Sequence, residues 1–203
     1  GRRAPSALKP DSLDYLDTSE IEPSRNPSKD LSRTVAGLDT QEWPEIFHTL
    51  NVVRQLALHH QSLLLNQGKT VLHGIVQGVL KQVENLRSQI SKNAVLTLGD
   101  MFIGLGSKMD GEVASVITSM VKRCGDQASS FLGETAEMTL CHLIDNASAS
   151  RALAGLLQAS ENRNAHLRGK VAGFLHFLVL SKSAELSGCR ELDALKHRLK
   201  YLL

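Results

Sequence analysis

Gly68-Lys69-Thr70 ends the way a phosphate-binding loop ends, with a lysine and a hydroxyl that could meet phosphate oxygens and Mg²⁺. Leu63 occupies the position where that loop needs its first glycine, and no strand pattern leads into it, so the three residues read as a turn between helices. Gly104-Leu105-Gly106 lacks the third glycine of a dinucleotide fingerprint and follows a helical pattern, which makes it a helix C-cap. His59-His60 and Cys141-His142 are the tightest groups of metal-ligating residues. Adjacent helical positions point about 100° apart, so neither pair can hold one ion by itself without further ligands at i+3 or i+4, and half-buried or surface histidines are expected. Cys124, Cys141 and Cys189 are odd in number and contain no C-x-x-C, so neither a disulfide framework nor a structural zinc site is expected, and a reducing cytosol suits them. The acidic residues are scattered, with no nucleophile elbow and no recognisable carboxylate pair. The chain is therefore expected to be no enzyme and to need no metal or cofactor. Asn146-Ala147-Ser148 matches a glycosylation acceptor, but no secretory signal accompanies it.

The elements that would carry these residues are helices. Apolar residues make up 42% of the 203, charged residues 22% and aromatic residues only 4%, a globular composition that packs through aliphatic side chains. The formal charge of +2 gives no long-range field to recruit nucleic acid or an anionic membrane. No apolar run approaches the roughly 20 residues of a bilayer span. Pro5, Pro10, Pro23 and Pro27 lie among Ser, Asp and Arg, so residues 1–29 read as a flexible linker, with the domain at 30–203. Pro44 stands where a first helical turn tolerates it, and no proline follows, as a succession of helices requires.

The periodicity predicts helices over about 30–38, 44–65, 69–84, 88–105, 110–123, 129–145, 148–159, 164–181 and 188–203. They fall into pairs whose second members share one apolar pattern: Ile46/Leu50/Arg54, Ile90/Ala94/Leu98, Leu132/Ala136/Leu140 and Leu167/Val171/Leu175. Its first residue recurs after 44, 42 and 35 positions, from 46 to 90, 132 and 167. Helical hairpins at that period cannot bury their apolar faces alone and must stack, so the fold class is all-α, an α-solenoid of the HEAT or armadillo kind.

In such an array the turns inside the hairpins collect on one edge and form an extended binding surface. The turns read Asp39-Thr40-Gln41-Glu42-Trp43-Pro44, Asn85-Leu86-Arg87-Ser88-Gln89, Gly125-Asp126-Gln127-Ala128-Ser129-Ser130 and Glu161-Asn162-Arg163-Asn164-Ala165-His166. Trp43, the single tryptophan, is either a partner contact or a staple over the helix start. Arg87, Lys92, Arg163, Arg168 and Lys170 add basic character that suits an acidic protein surface.

Leu38–Leu58, LDTQEWPEIFHTLNVVRQLAL, resembles the first HEAT repeat of TOG domains, with the tryptophan in its intra-repeat turn. NLRSQISKNAVLTLGDMF, residues 85–102, is similar to the second repeat in the CLASP and crescerin branch, and the likeness extends over residues 30–203 to the family of TOG array regulators of axonemal microtubules. The resemblance implies a domain that binds α/β-tubulin or the microtubule lattice through these turns, early turns on β-tubulin and later ones on α-tubulin, in cytoplasm and cilium. Carried over, the tubulin-binding residues are Trp43, Arg87, Ser88, Ser129, Ser130, Asn164 and Arg168. Pro44 and Phe47 depart from charged residues common after the tryptophan, and the third turn lacks a basic contact, which implies weaker binding. The family carries six repeats, whereas four and the first helix of a fifth are read here, so a monomeric piece of a multi-domain array is expected.

Two other readings compete. A HEAT-repeat scaffold for a different protein would keep the fold and use another face. A HEAT-like DNA glycosylase would need a basic concave face with aromatic residues beside a catalytic carboxylate. Tubulin binding predicts Trp43 exposed on the turn edge, whereas a DNA enzyme predicts a positive concave face.

Overall fold

The structure, a computed structural model, describes residues 15–126, 130–189 and 192–193. Among these, ten α-helices and no strand are found. They are α1 (Pro27–Asp39), α2 (Trp43–His59), α3 (Gln61–Leu65), α4 (Lys69–Val83), α5 (Ser88–Leu105), α6 (Val113–Cys124), α7 (Ser130–Asn146), α8 (Ala149–Ala159), α9 (Ala165–Ser181) and α10 (Ser183–Leu186).

Helices α1, α4, α6 and α8 pack in sequence as one layer, and α2, α5, α7 and α9 pack in sequence as the other. Each first-layer helix also packs on the second-layer helix that follows it, which is the stacked-hairpin arrangement of an α-solenoid. The expected helices are present to within a few residues over 30–181. The helix read as 44–65 divides at His60, where φ −133° and ψ 38° leave helical geometry and α3 starts anew. The last expected helix, 188–203, falls almost wholly outside the described residues, and α10 occupies a stretch read as a connection.

The repeating apolar pattern forms the core. Ile46, Leu50, Ile90, Ala94, Leu98, Leu132, Ala136, Leu140, Leu167 and Val171 are all buried. Burial of each larger aliphatic side chain contributes on the order of 1.5–3 kcal/mol before conformational entropy is set against it. A second set of contacts registers one repeat against the next. Gln82 Nε2 donates to the Leu38 carbonyl at 2.8 Å, Asn93 Nδ2 to Phe47 at 3.2 Å, Arg123 Nη2 to Val83 at 2.6 Å and Thr139 Oγ1 to Val95 at 3.0 Å. These bonds span 44, 46, 40 and 44 residues, the period seen in the apolar pattern. Hydrophobic burial stacks the hairpins, and directional side-chain bonds to the preceding repeat's backbone fix how far one slides on the next.

The C-terminal end of the stretch read as a linker makes contacts with the helices. Residues 15–26 lie along α2 and α5 as a strap, and α1 begins at Pro27 rather than Asp30. Tyr15 stacks tilted on Phe47 with centroids 6.0 Å apart, and Arg54 Nη2 donates to the Leu16 carbonyl at 2.8 Å. Thr18 Oγ1 donates to Asp100 at 2.6 Å, and His59 Nε2 donates to the Ile21 carbonyl at 2.6 Å. Ile21 is buried. Proline and serine gave this stretch the composition of a linker, but its bonds to Arg54 and His59 run through backbone carbonyls, which composition does not register. Residues 1–14 lie outside the described residues.

Candidate functional site

Each second-layer helix starts at an intra-repeat turn, and these starts lie on one edge because neighbouring helices run in parallel register. Lys81 near the end of α4 pairs with Asp39 at the end of α1, and Lys122 and Arg123 at the end of α6 pair with Glu84 just after α4. The Lys81 ammonium, hydrogen-bonded to Asp39, holds that carboxyl below its ordinary range. Exposed pairs of this kind add little stability, and their effect here is to neutralise charges along the edge.

Trp43 is the first residue of α2, with Pro44 beside it in the first turn, where the missing N–H costs nothing. The indole is half-buried, packed against the core on one side, and Arg87 lies over its ring at 5.3 Å from the centroid. Trp43 thus packs as a staple on its inner side and lies on the turn edge on its outer side. Arg87 immediately precedes α5 in the second turn, so this cation–π contact ties the first turn to the second. No ion pair of Arg87 occurs among the described residues.

Of the other expected contacts, Ser88 directly follows Arg87, and the remaining ones belong to the third and fourth turns. Ser88 and Ser130 are exposed first residues of α5 and α7, and Ser129 lies outside the described residues. Asn164 is the N-cap of α9, its Oδ1 accepting from His166 N at 2.9 Å. Arg168 Nη1 donates to the carbonyls of Asn162 and Arg163 at 3.0 and 2.9 Å, which closes the fourth turn from inside. Asn164 and Arg168 thus build the turn that they line, while Arg163 at its apex is exposed. Lys92 is drawn off the edge: its Nζ lies 4.0 Å from the Tyr15 ring centroid and 3.4 Å from that of Phe131. Burial lowers its pKa, opposed by the nearby Asp17 carboxylate. Lys170 is held by Glu137, whose hydrogen bond raises the ammonium's pKa.

Leu86 and Arg163 stand out on the edge although neither belongs to the residues carried over from the family. Leu86 is fully exposed, at 103% of its reference area, in the middle of the second turn. An apolar residue at the centre of a polar turn was the available signal. A cleft of about 600 Å³ opens between the first two turns, lined by Thr40, Gln41, Trp43, Asn85, Leu86 and Arg87 among others. Nothing in this arrangement pairs a nucleophile with a base. The potential metal ligands His59, His60, Cys141 and His142 form no group of three or more with other His, Cys, Asp or Glu among the described residues. No helix among the described residues is long and apolar enough to cross a membrane.

Comparison with known proteins gives these turns a context. Residues 52–203 match the family model described as CLASP N terminal. The chain is 30% identical over 151 residues to the mouse protein named TOG array regulator of axonemal microtubules protein 1, covering 74% of this chain and 8% of that one. It is 29% identical over 150 residues to the human protein of the same name, with the same coverages. Crescerin-like protein che-12 of Caenorhabditis elegans is 25% identical over 188 residues, 88% of this chain and 14% of the relative. The chain thus spans a small fraction of the length of each of these relatives. With its stacked helical hairpins and a family match over most of its length, the chain belongs to the CLASP N terminal family and is a TOG domain.

Proposed function

We propose that this domain binds tubulin through its turn edge, without catalysis, and so regulates microtubule growth or stability, with the axoneme of the cilium as its place of action. The observation that carries this reading is the composite of Trp43 and Arg87, an aromatic residue and an arginine stacked across two successive turns at the rim of an open cleft. Tryptophan and arginine dominate the energetics of protein interfaces, because each offers a large rigid area beside a polar handle. The names of the mouse and human relatives, which refer to axonemal microtubules, support the choice of partner and location. Exposed Arg163 at the fourth turn adds a second cationic point along the edge. Ser88, Ser130, Asn164 and Arg168 belong to this surface as its frame, and Ser129 is assigned to it from the sequence.

Co-elution of the chain with purified tubulin at low salt tests the reading. Wild type forms a complex, and Trp43→Ala weakens it at least tenfold while the far-UV circular dichroism stays unchanged. A wild-type chain that does not co-elute at micromolar concentrations sinks the proposal. Equal binding by both forms moves the interface off the turn edge. For location, a tagged full-length protein should mark the ciliary shaft, and uniform cytoplasmic signal contradicts that part.

A further inference from the structure

Residues 17–22 of the strap read Asp-Thr-Ser-Glu-Ile-Glu and carry all of its carboxylates. Asp17 and Glu20 close a short 3₁₀ turn on each other, the Asp17 amide donating to Glu20 Oε2 at 2.7 Å and the Glu20 amide to the Asp17 carbonyl at 2.9 Å. Thr18 Oγ1 donates to Asp100 at 2.6 Å, and Ile21 is buried with its carbonyl bonded to His59. Ser19 lies between these two anchors, is exposed, and makes no side-chain bond among the described residues.

An exposed hydroxyl followed by carboxylates is the acceptor that acidophilic serine/threonine kinases take, because basic side chains of their substrate groove pair with acids one and three positions beyond it. The hydroxyl residues of this sequence with a carboxylate three positions on are Ser19, Thr97 and Ser107. Thr97 is buried inside α5. Ser107 is followed by Lys108, a charge that such a groove repels. Ser19 alone of these has Glu20 directly after it as well as Glu22 three positions on, with Asp17 two positions before.

We propose that Ser19 is a phosphorylation site for an acidophilic serine/threonine kinase, and that its phosphate loosens the strap. The γ-phosphoryl group of MgATP passes to Ser19 Oγ: the bond from Pγ to the ADP oxygen breaks, the Oγ–Pγ bond forms, and the hydroxyl proton goes to the kinase's catalytic carboxylate. The product carries a charge of about −1.5 to −2 at neutral pH. It joins Asp17, Glu20 and Glu22 within six residues, with Asp100 bonded to the adjacent Thr18. Arg54, the buried cation beneath the strap, is already committed to Asp100 and to the Leu16 carbonyl. Like-charge repulsion therefore acts on a segment attached by a few bonds, and shifts it toward its undocked state while the stacked repeats stay formed. Lys92, which leans on the Tyr15 ring, loses that contact when the strap leaves. The inference does not depend on the tubulin reading.

The experiment incubates the whole chain with purified casein kinase 2 and MgATP, locates phosphate by peptide mass spectrometry, and then measures hydrogen exchange on the phosphorylated chain. Phosphate is expected at Ser19; Ser19→Ala removes it, and Glu22→Gln slows its incorporation about tenfold or more. Exchange over residues 16–22 should accelerate about fivefold or more at low salt, with α5 and α7 little changed, and the difference should narrow in about 0.5 M salt. Unmodified Ser19→Ala and Glu22→Gln should melt with wild type, which separates loss of the site from loss of the fold. No phosphate at Ser19, under conditions that phosphorylate an acidic control peptide, overturns the site. Phosphate at Ser19 with unchanged exchange in the strap overturns the release. Equal acceleration throughout α5 and α7 overturns it too, since the phosphate would then unfold the repeats rather than detach the strap.

Discussion

Arg54 and Asp100 form an ion pair in the interior: Nε donates to Oδ2 at 2.6 Å, with side-chain exposures of 0% and 3%. The pair joins α2 to α5 beneath the strap. Strap atoms meet part of its remaining valence, Leu16 O accepting from Arg54 Nη2 and Thr18 Oγ1 donating to Asp100, while Arg54 Nη1 is buried without a hydrogen-bond partner among the described residues. Desolvation makes such a pair expensive to break and of modest value as a whole.

Asp100→Ala should therefore cost about 3–5 kcal/mol, because it leaves a buried guanidinium without its counter-charge. The double substitution Arg54→Met with Asp100→Leu should recover most of that loss, since an apolar pair of similar volume removes both charges together. Urea unfolding monitored by circular dichroism measures both. Equal destabilisation by the single and double changes would contradict the account.

The strap should open before the repeats do. Thr18→Val removes one bond to a charged acceptor while leaving the solenoid's core untouched, with a global cost of about 1.5–3 kcal/mol. Hydrogen exchange over residues 15–26 should accelerate severalfold, while exchange in α5 changes little. Unaltered exchange in that segment would show that the strap is held by its contacts at Tyr15, Leu16 and Ile21.

Cys124 is buried at the end of α6, and burial pushes its thiol up to about 12, with the Glu137 carboxylate adding to the shift. The folded state thus favours the neutral thiol, while the unfolded thiol ionises near 9.0. The stabilisation is complete below about pH 9 and is lost as pH rises from there toward 12. At pH 8 iodoacetamide should leave Cys124 unmodified in the folded chain and alkylate it in urea, as peptide mass spectrometry would report. Rapid alkylation without denaturant would mean that this part of α6 opens locally.

The helices were legible because proline is absent after Pro44 and because one apolar pattern returns at nearly the period of the hairpins. The same pattern placed Arg54 at an apolar position, and its burial is now accounted for by Asp100, 46 residues away, a pairing that periodicity cannot express. The edge was legible as a set of turns. Which side chains on it are free was not, because that depends on partners in other repeats: Lys92 is taken up by Tyr15 and Phe131, and Arg168 by its own turn's carbonyls. Leu86 escaped for the opposite reason, since full exposure of a leucine contradicts what its type leads one to expect.

Gly104 supplies the last test. The sequence places it in a glycine-rich helix C-cap, and Gly106, at φ 54° and ψ −132°, does end α5. Gly104 lies within the helix, where its backbone approaches α2 so closely that a Cβ would stand 2.0 Å from the Ala57 carbonyl oxygen and 2.6 Å from its carbon. These are backbone atoms in the middle of the core seam, so neither a rotamer change nor a side-chain shift can relieve the overlap; the two helices must move apart. Gly104→Ala should therefore destabilise the domain by about 3 kcal/mol or more, although alanine is the better helix former by about 1 kcal/mol. Gly74→Ala, in α4 with open space around it, isolates that propensity gain and should raise the melting temperature slightly. If both substitutions stabilised the chain alike, the α2–α5 contact would have to be looser than this packing, and the register set by the Asn93 bond to Phe47 would need revision with it.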